Sequence, residues 1–114
     1  MEVSMNGINK IFIAGNLASK PVVHKSKNGK PFSFLTIATN RFSLVDGHWS
    51  KKTYWHSILV WGKKAEICEK YLEKGFPLAV EGFLEETAEH KTTIVAEDLH
   101  FLGLRTTDTA TPVP

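Results

Sequence analysis

The sequence predicts an all-β domain with one helix: a five-stranded barrel that carries the helix between its third and fourth strands. Three observations lead there. Apolar and β-branched residues alternate with period two through most of the chain. Only one stretch, residues 63–74 (KKAEICEKYLEK), has a helical repeat. Asn28-Gly29 and Asp46-Gly47 are strong signals for tight hairpin turns. At 114 residues the chain makes one domain, large enough to bury a core without disulfides or metals.

Residues 9–17 (NKIFIAGNL) open as a strand, with Ile11 and Ile13 on one face and Phe12 and Ala14 on the other. Gly15 inside that pattern points to a bulge or a close backbone approach. Residues 21–24 read as a short strand, followed by the basic run Lys25, Lys27 and Lys30 around the Asn28-Gly29 turn. Residues 32–42 (FSFLTIATNRF) form the next strand. Phe32, Phe34, Thr36 and Ala38 share one face; Ser33, Leu35, Ile37, Thr39 and Arg41 share the other. The Asp46-Gly47 turn then sits in a loop that carries Trp49, Lys51 and Lys52. An indole beside a turn is better placed for solvent or a ligand than for a core.

Residues 53–62 (TYWHSILVWG) are the stretch around which the rest is organised. Tyr54, His56, Ile58 and Val60 make a mostly apolar core face, while Trp55, Ser57, Leu59 and Trp61 share the opposite one. Trp55 and Trp61 then lie about 20 Å apart along the strand. Two readings stay open: both tryptophans are core, or they form a stacking platform on an open sheet face, as in proteins that grip single-stranded nucleic acid. The helix at 63–74 has the apolar stripe Ala65, Ile67, Cys68, Tyr71 and Leu72, a Glu66–Lys70 pairing at i,i+4, and Gly75 to end it. It reads as a structural plug with Cys68 as a packed thiol. Residues 76–86 and 91–102 are two further strands joined by an acidic turn containing Glu85, Glu86 and Glu89. The end, RTTDTATPVP, has too little apolar surface to fold by itself.

Composition narrows the function. A single cysteine excludes an internal disulfide and a cysteine-based zinc site. No apolar run approaches a membrane span, and MEVSMNGINK has neither the basic nor the apolar region of a signal peptide, so a reducing cytoplasm is the expected location. The net charge of +2 conceals an asymmetry: residues 1–64 hold ten Lys/Arg against Glu2 and Asp46, a balance of +8, and residues 65–114 balance to −6. Such a division is compatible with a basic surface patch. Enzyme motifs are lacking: His24, His48, His56, His90 and His100 have no metal-ligand spacing, no phosphate-binding or nucleophile motif occurs, and alternation puts Glu97 and Asp98 on opposite faces. A helix between the third and fourth strands of a five-stranded barrel is the layout of an OB-fold, whose sheet and loops bind oligonucleotides or oligosaccharides.

INKIFIAGNL, NGKPFSFLTIATN, TYWHSILVWGKKAEICEKYLEKG, LAVEGFL and TTIVAEDLHFLG together resemble the bacterial single-stranded DNA-binding proteins, in the family's order and over residues 8–103. The resemblance implies an OB-fold domain at 8–103, with an N-terminal extension at 1–7 and a short flexible tail at 104–114. It also implies a homotetramer in preference to a dimer, no cofactor, no catalytic activity, sequence-independent coating of single-stranded DNA in replication, recombination or repair, and a nucleoid-associated place in the cytoplasm. The family's stacking aromatics carry over to Trp55, to Trp61 (where the family usually has Phe) and to Phe42 after the third strand. His56 matches a histidine at the family's subunit interface. The candidate phosphate partners are Lys10, Lys20, Lys25, Lys27, Lys30, Arg41, Lys51, Lys52, Lys63 and Lys64.

Four departures from the family pattern matter. The last hairpin is short and acidic and lacks the usual Trp, so it repels phosphate. Ser57 stands where some relatives carry Arg. Trp49 adds an aromatic that can compensate. The family's acidic-hydrophobic tail tip is missing, which counts against recruitment of replication or repair proteins through a tail. Two further partners remain open: a replication helicase, if the chain is a primosomal adaptor of the same fold, and RNA, because stacking does not distinguish sugars.

Overall fold

A computed structural model describes residues 5–103. The expectations for residues 1–4 of the extension and for the tail at 104–114 lie outside them. The elements are β1 (Ile11–Leu17), β2 (His24–Lys25), β3 (Pro31–Val45), β4 (His48–Trp61), α1 (Lys63–Tyr71), β5 (Pro77–Glu86) and β6 (Thr92–Phe101). The sheet order is β1-β5-β6-β4-β3-β2, and a further pairing of β1 with β3 closes β1, β5, β6, β4 and β3 into a five-stranded barrel. All pairings are antiparallel except β4 with β6, which run parallel at Ile58–Ile94 and Leu59–Val95. The helix follows the third barrel strand and precedes the fourth, as the sequence predicts. Strand β2 is a two-residue appendage on the outer edge of β3.

Three elements differ from the sequence reading. Residues 21–23 are not a strand: the Val23 N–H donates to the Glu69 carboxylate at 2.8 Å, so this segment crosses α1 instead of pairing with a neighbour. Residues 48–52 are not a loop. Asp46 and Gly47, at φ 52° and 77°, make a two-residue turn in which Val45 pairs directly with His48. A hairpin turned this tightly keeps its strands paired to the tip, so Trp49, Lys51 and Lys52 belong to β4. Finally, α1 stops at Tyr71. Leu72 turns extended and fully buried, and the Lys20 ammonium lies 3.3 and 3.4 Å from the Glu69 and Leu72 carbonyls, with Glu73 also at 3.4 Å. A cation at the last carbonyls of a helix satisfies its orphan acceptors and its dipole. Gly75 is spent elsewhere: its N–H donates to Leu17 at 2.7 Å and its carbonyl accepts from the Asn16 amide at 2.9 Å, fastening the α1–β5 turn to the end of β1.

The core is built from Leu17, Leu35, Ile37, Ile58, Val60, Leu78 and Val80, closed from below by Ala65, Cys68 and Leu72. The helix stripe is narrower than its sequence implies, since Ile67 and Tyr71 are partly exposed. Burial pushes the Cys68 thiol up to about 11. It is therefore protonated and inert at neutral pH. Gly15 lies where β1 crosses β3, and a Cβ there would strike the Ala38 carbonyl oxygen. The close approach expected at Gly15 is thus the point of barrel closure.

Two outcomes follow. Gly15→Ala must push β1 away from β3, and we expect a loss of about 1–3 kcal/mol in urea denaturation, the range of an overpacked core site. The native Cys68 thiol should resist a disulfide reagent at pH 8 and react only as fast as the domain opens. Because its native pKa is raised, the stability it contributes is complete below the unfolded thiol value and is lost as pH climbs toward 11.

Candidate nucleic-acid interface

The β3–β4 ladder decides which side chains meet. Phe32 pairs with Trp61, Phe34 with Leu59, Thr36 with Ser57, Ala38 with Trp55, Phe42 with Lys51 and Leu44 with Trp49. Directly opposed residues share a face, so all four candidate aromatics project from the same side of the hairpin. Their exposures are 72% for Trp49, 66% for Trp55, 62% for Phe42 and 37% for Trp61. Ile58 and Val60, on the other side of β4, are completely buried. The reading in which both β4 tryptophans are core is therefore excluded; the open platform is what the structure contains. From Asn40 to Thr53 the hairpin stands clear of the barrel as an arm whose residues are exposed on both sides, apart from half-buried Thr53.

The platform has two parts. Trp55 stands over Ala38 and, among the described residues, has no ring against it. Trp61 is pinned: the Phe32 ring lies 5.2 Å from it and the Lys30 ammonium sits 5.0 Å from its centroid. Phe34 meets Phe32 edge-on at 6.1 Å and is 51% exposed on this same face. The sequence reading placed Phe34 on a face and gave it no role. Alternation within β3 was visible, but only the register shows that its outer face continues that of Trp61.

The ten candidate cations divide by surroundings. Lys51 faces outward beside Phe42, and Lys30 lies over Trp61. Lys25 lies in β2 and Lys27 in the β2–β3 turn, at the end of the sheet away from Lys51, and Lys63 opens α1 after Gly62; none of these five is paired with an acid among the described residues. Arg41 and Lys52 oppose each other on the reverse side of the arm, where Lys52 lies 5.2 Å from the Tyr54 ring. Lys20 is committed to the end of α1. Lys10 pairs with the Glu97 carboxylate at 3.5 Å, and Lys64 bonds to the Glu97 carbonyl and reaches the Asp98 carboxylate at 4.0 Å. A register shift opposite Glu81 and Gly82 makes Glu97 the extra residue of a bulge, which suspends the strict alternation expected of Glu97 and Asp98.

His56 is half-buried on the side opposite Trp55, its Nε2 2.8 Å from the Thr39 hydroxyl. The β5–β6 turn leaves Glu85, Glu86 and Glu89 exposed, with Glu86 3.5 Å from His90. Among the described residues no three His, Cys, Asp or Glu side chains gather as a metal-ligand group, and no helix is long and apolar enough to cross a membrane.

Residues 8–102 match the Single-strand binding protein family. The chain is 34% identical over 109 positions to Single-stranded DNA-binding protein 1 of Chlorobaculum tepidum, covering 87% of this chain and 67% of the relative. It is 31% identical over 108 positions to the Single-stranded DNA-binding protein of Xylella fastidiosa, covering 87% and 66%. The chain thus spans about two thirds of the length of these relatives. Among solved structures, the Plasmodium falciparum protein in complex with single-stranded DNA superposes with a TM-score of 0.74 at 28% identity, covering 89% of this chain and 100% of that one. A deletion mutant of the Thermus aquaticus single-stranded DNA-binding protein gives 0.72 at 27% identity, covering 85% and 51%.

Proposed function

This chain belongs to the single-strand binding protein family, and from that membership and the outer face of β3 and β4 we propose that it binds and protects single-stranded DNA without sequence preference, as a binding protein with no catalytic step. The observation that carries the reading is the single exposed face holding Trp55 and Trp61, backed by the barrel core, and continued by Phe42 and Trp49 along the arm. Water does not favour so much open aromatic surface; an unpaired base does, because every base has a π-face. Trp55 and Trp61 take bases along β4, and Phe42 and Trp49 extend the path along the arm. Lys25, Lys27, Lys30, Lys51 and Lys63 meet the phosphates. Ser57 and Thr36 leave a small polar gap between the two indoles that selects for no base.

Two further parts of the proposal rest on family membership together with position. The half-buried His56 faces a neighbouring subunit of a homotetramer, where its bond to Thr39 fixes the ring. Duty in replication, recombination or repair follows from the ligand.

The test is tryptophan fluorescence during titration with oligo-dT at rising salt. Saturable quenching is expected, with log K falling against log salt at a slope near −3.5 if about five phosphates are met at −0.7 each. Trp55→Ala should weaken binding by about 1–3 kcal/mol, the worth of one stacked base. Absence of quenching at low salt would overturn the reading.

The carboxylates of β6 allow a second expectation of opposite sign. Glu97 and Asp98 hold Lys10 and Lys64 as a phosphate would, so the double variant Glu97→Gln, Asp98→Asn should bind oligo-dT more tightly at low salt. Its salt slope should steepen by about 1.4, two phosphates at −0.7 each. Unchanged affinity and slope would show that these lysines lie off the DNA path.

A further inference from the structure

The aromatic surface does not end at Trp61. His24 is opposed to Phe32, and Phe32 is opposed to Trp61, so the three residues form one row across β2, β3 and β4 on the outer face. The His24 ring is 5.6 Å from Phe32 at 35°, and Phe32 is 5.2 Å from Trp61 at 47°. Phe34 closes against the middle ring edge-on at 86°. Strands in a sheet are about 4.8 Å apart, so the row extends roughly 10 Å at right angles to the line from Trp55 to Trp61. It is held by the turn below it: Gly29 takes φ 80°, its N–H donates to Ser26 at 2.8 Å, and the Ser26 N–H donates to Lys30 at 2.9 Å. This closure sets the two residues of β2 in register and brings His24 over the edge strand. His24 is exposed, and no acid pairs with it among the described residues. Lys30 lies over Trp61 at one end of the row, and Lys27 is carried on the turn that joins β2 to β3.

Granting the DNA-binding reading above, we propose that this row is a second stacking subsite. A base beyond the one on Trp61 lies across Phe32 and Phe34 and ends on the His24 imidazole, with its phosphate at Lys27 and Lys30. Two features favour this over a row that merely packs β2 onto the sheet. His24 is exposed, Phe34 is 51% exposed and Trp61 is 37% exposed, so the row is open at its ends. The positive side chains nearest the row carry no carboxylate partner, as a phosphate path requires and a packing contact does not. The strand of DNA therefore turns at Trp61 from running along β4 to crossing the sheet toward its open edge.

The test uses the full chain. Wild-type protein bound to oligo-dT carrying a single 5-iodouracil is irradiated, and the adduct is mapped by peptide mass spectrometry; an adduct on His24, Phe32 or Phe34 is expected at one label position, beside one on Trp55 at another. In parallel, His24→Ala should weaken binding of a long oligo-dT about fivefold or more, the lower end for one stacked base. His24→Phe should restore it and His24→Lys should not. Rescue by Lys and not by Phe, or a change under twofold in His24→Ala with no adduct on the row, would overturn the subsite while Trp55→Ala still weakens binding. If Trp55→Ala also binds like wild type, the reading of the whole face fails, and the subsite with it.

Discussion

The antiparallel ladder between β3 and β4 is the constraint on which the rest depends. It runs without a shift from Phe32–Trp61 to Val45–His48, and its register is set by a two-residue turn in which both central residues have positive φ. A slip by one residue would send every side chain of one strand to the opposite face. Ile58 and Val60 would leave the core, and Trp55 and Trp61 would enter it. The barrel interior and the aromatic platform are thus two consequences of one pairing, and the burial of Leu35, Ile37, Ile58 and Val60 is what holds the exposed indoles in place. The buried contacts lie on one side of the sheet and the exposed aromatics on the other.

Barrel closure imposes a second constraint. To return to β3, strand β1 must approach its backbone so closely that no Cβ fits at Gly15, and β5 meets β6 in the same way at Gly82, where a Cβ would strike the Val95 carbonyl oxygen. The second approach coincides with the bulge at Glu97. Bulges bend and re-aim strands at barrel corners. Here the bend also brings two carboxylates up to Lys10 and Lys64. Closing the barrel therefore has an electrostatic consequence: it removes two lysines, Lys10 and Lys64, from the freely available positive charge.

Much of this was legible in the sequence wherever burial enforces a period. The division of β1, β3 and β4 into two faces follows from alternation alone, whereas the openness of the Trp55–Trp61 face does not, since both indoles could equally have been core. The arm was not legible for the complementary reason. In SLVDGHWSKK no residue is buried, so nothing imposes a period, and the strand there is sustained by cross-strand hydrogen bonding from a turn whose neighbours look like loop. Val22 and Val23 misled in the other direction. Their β-branched character reads as a strand, but the Val23 N–H is taken by Glu69, a partner 46 residues away. The same holds for Lys20 at the end of α1 and for the His24–Phe32–Trp61 row. Each requires knowing which distant segment lies alongside, and local pattern carries no such information.

On the proposed DNA-binding reading, the arrangement accounts for binding that is both tolerant of sequence and sensitive to salt. Rings pinned by neighbours, as Trp61 is by Phe32 and Lys30, lose little freedom when a base arrives, whereas Trp55 stands alone above Ala38 and must be ordered by its ligand. Ordering a side chain at an interface costs about 0.5–1.5 kcal/mol, so equal stacking contacts yield unequal net gains at the two indoles. Phosphate contacts around the pinned ring add a term that salt removes, and stacking adds one that salt leaves largely intact. On the DNA-binding reading proposed above, the pinned end of the face, where cations and rings coincide, is the salt-sensitive end, and Trp55 is the indole whose share of the binding energy outlasts rising ionic strength.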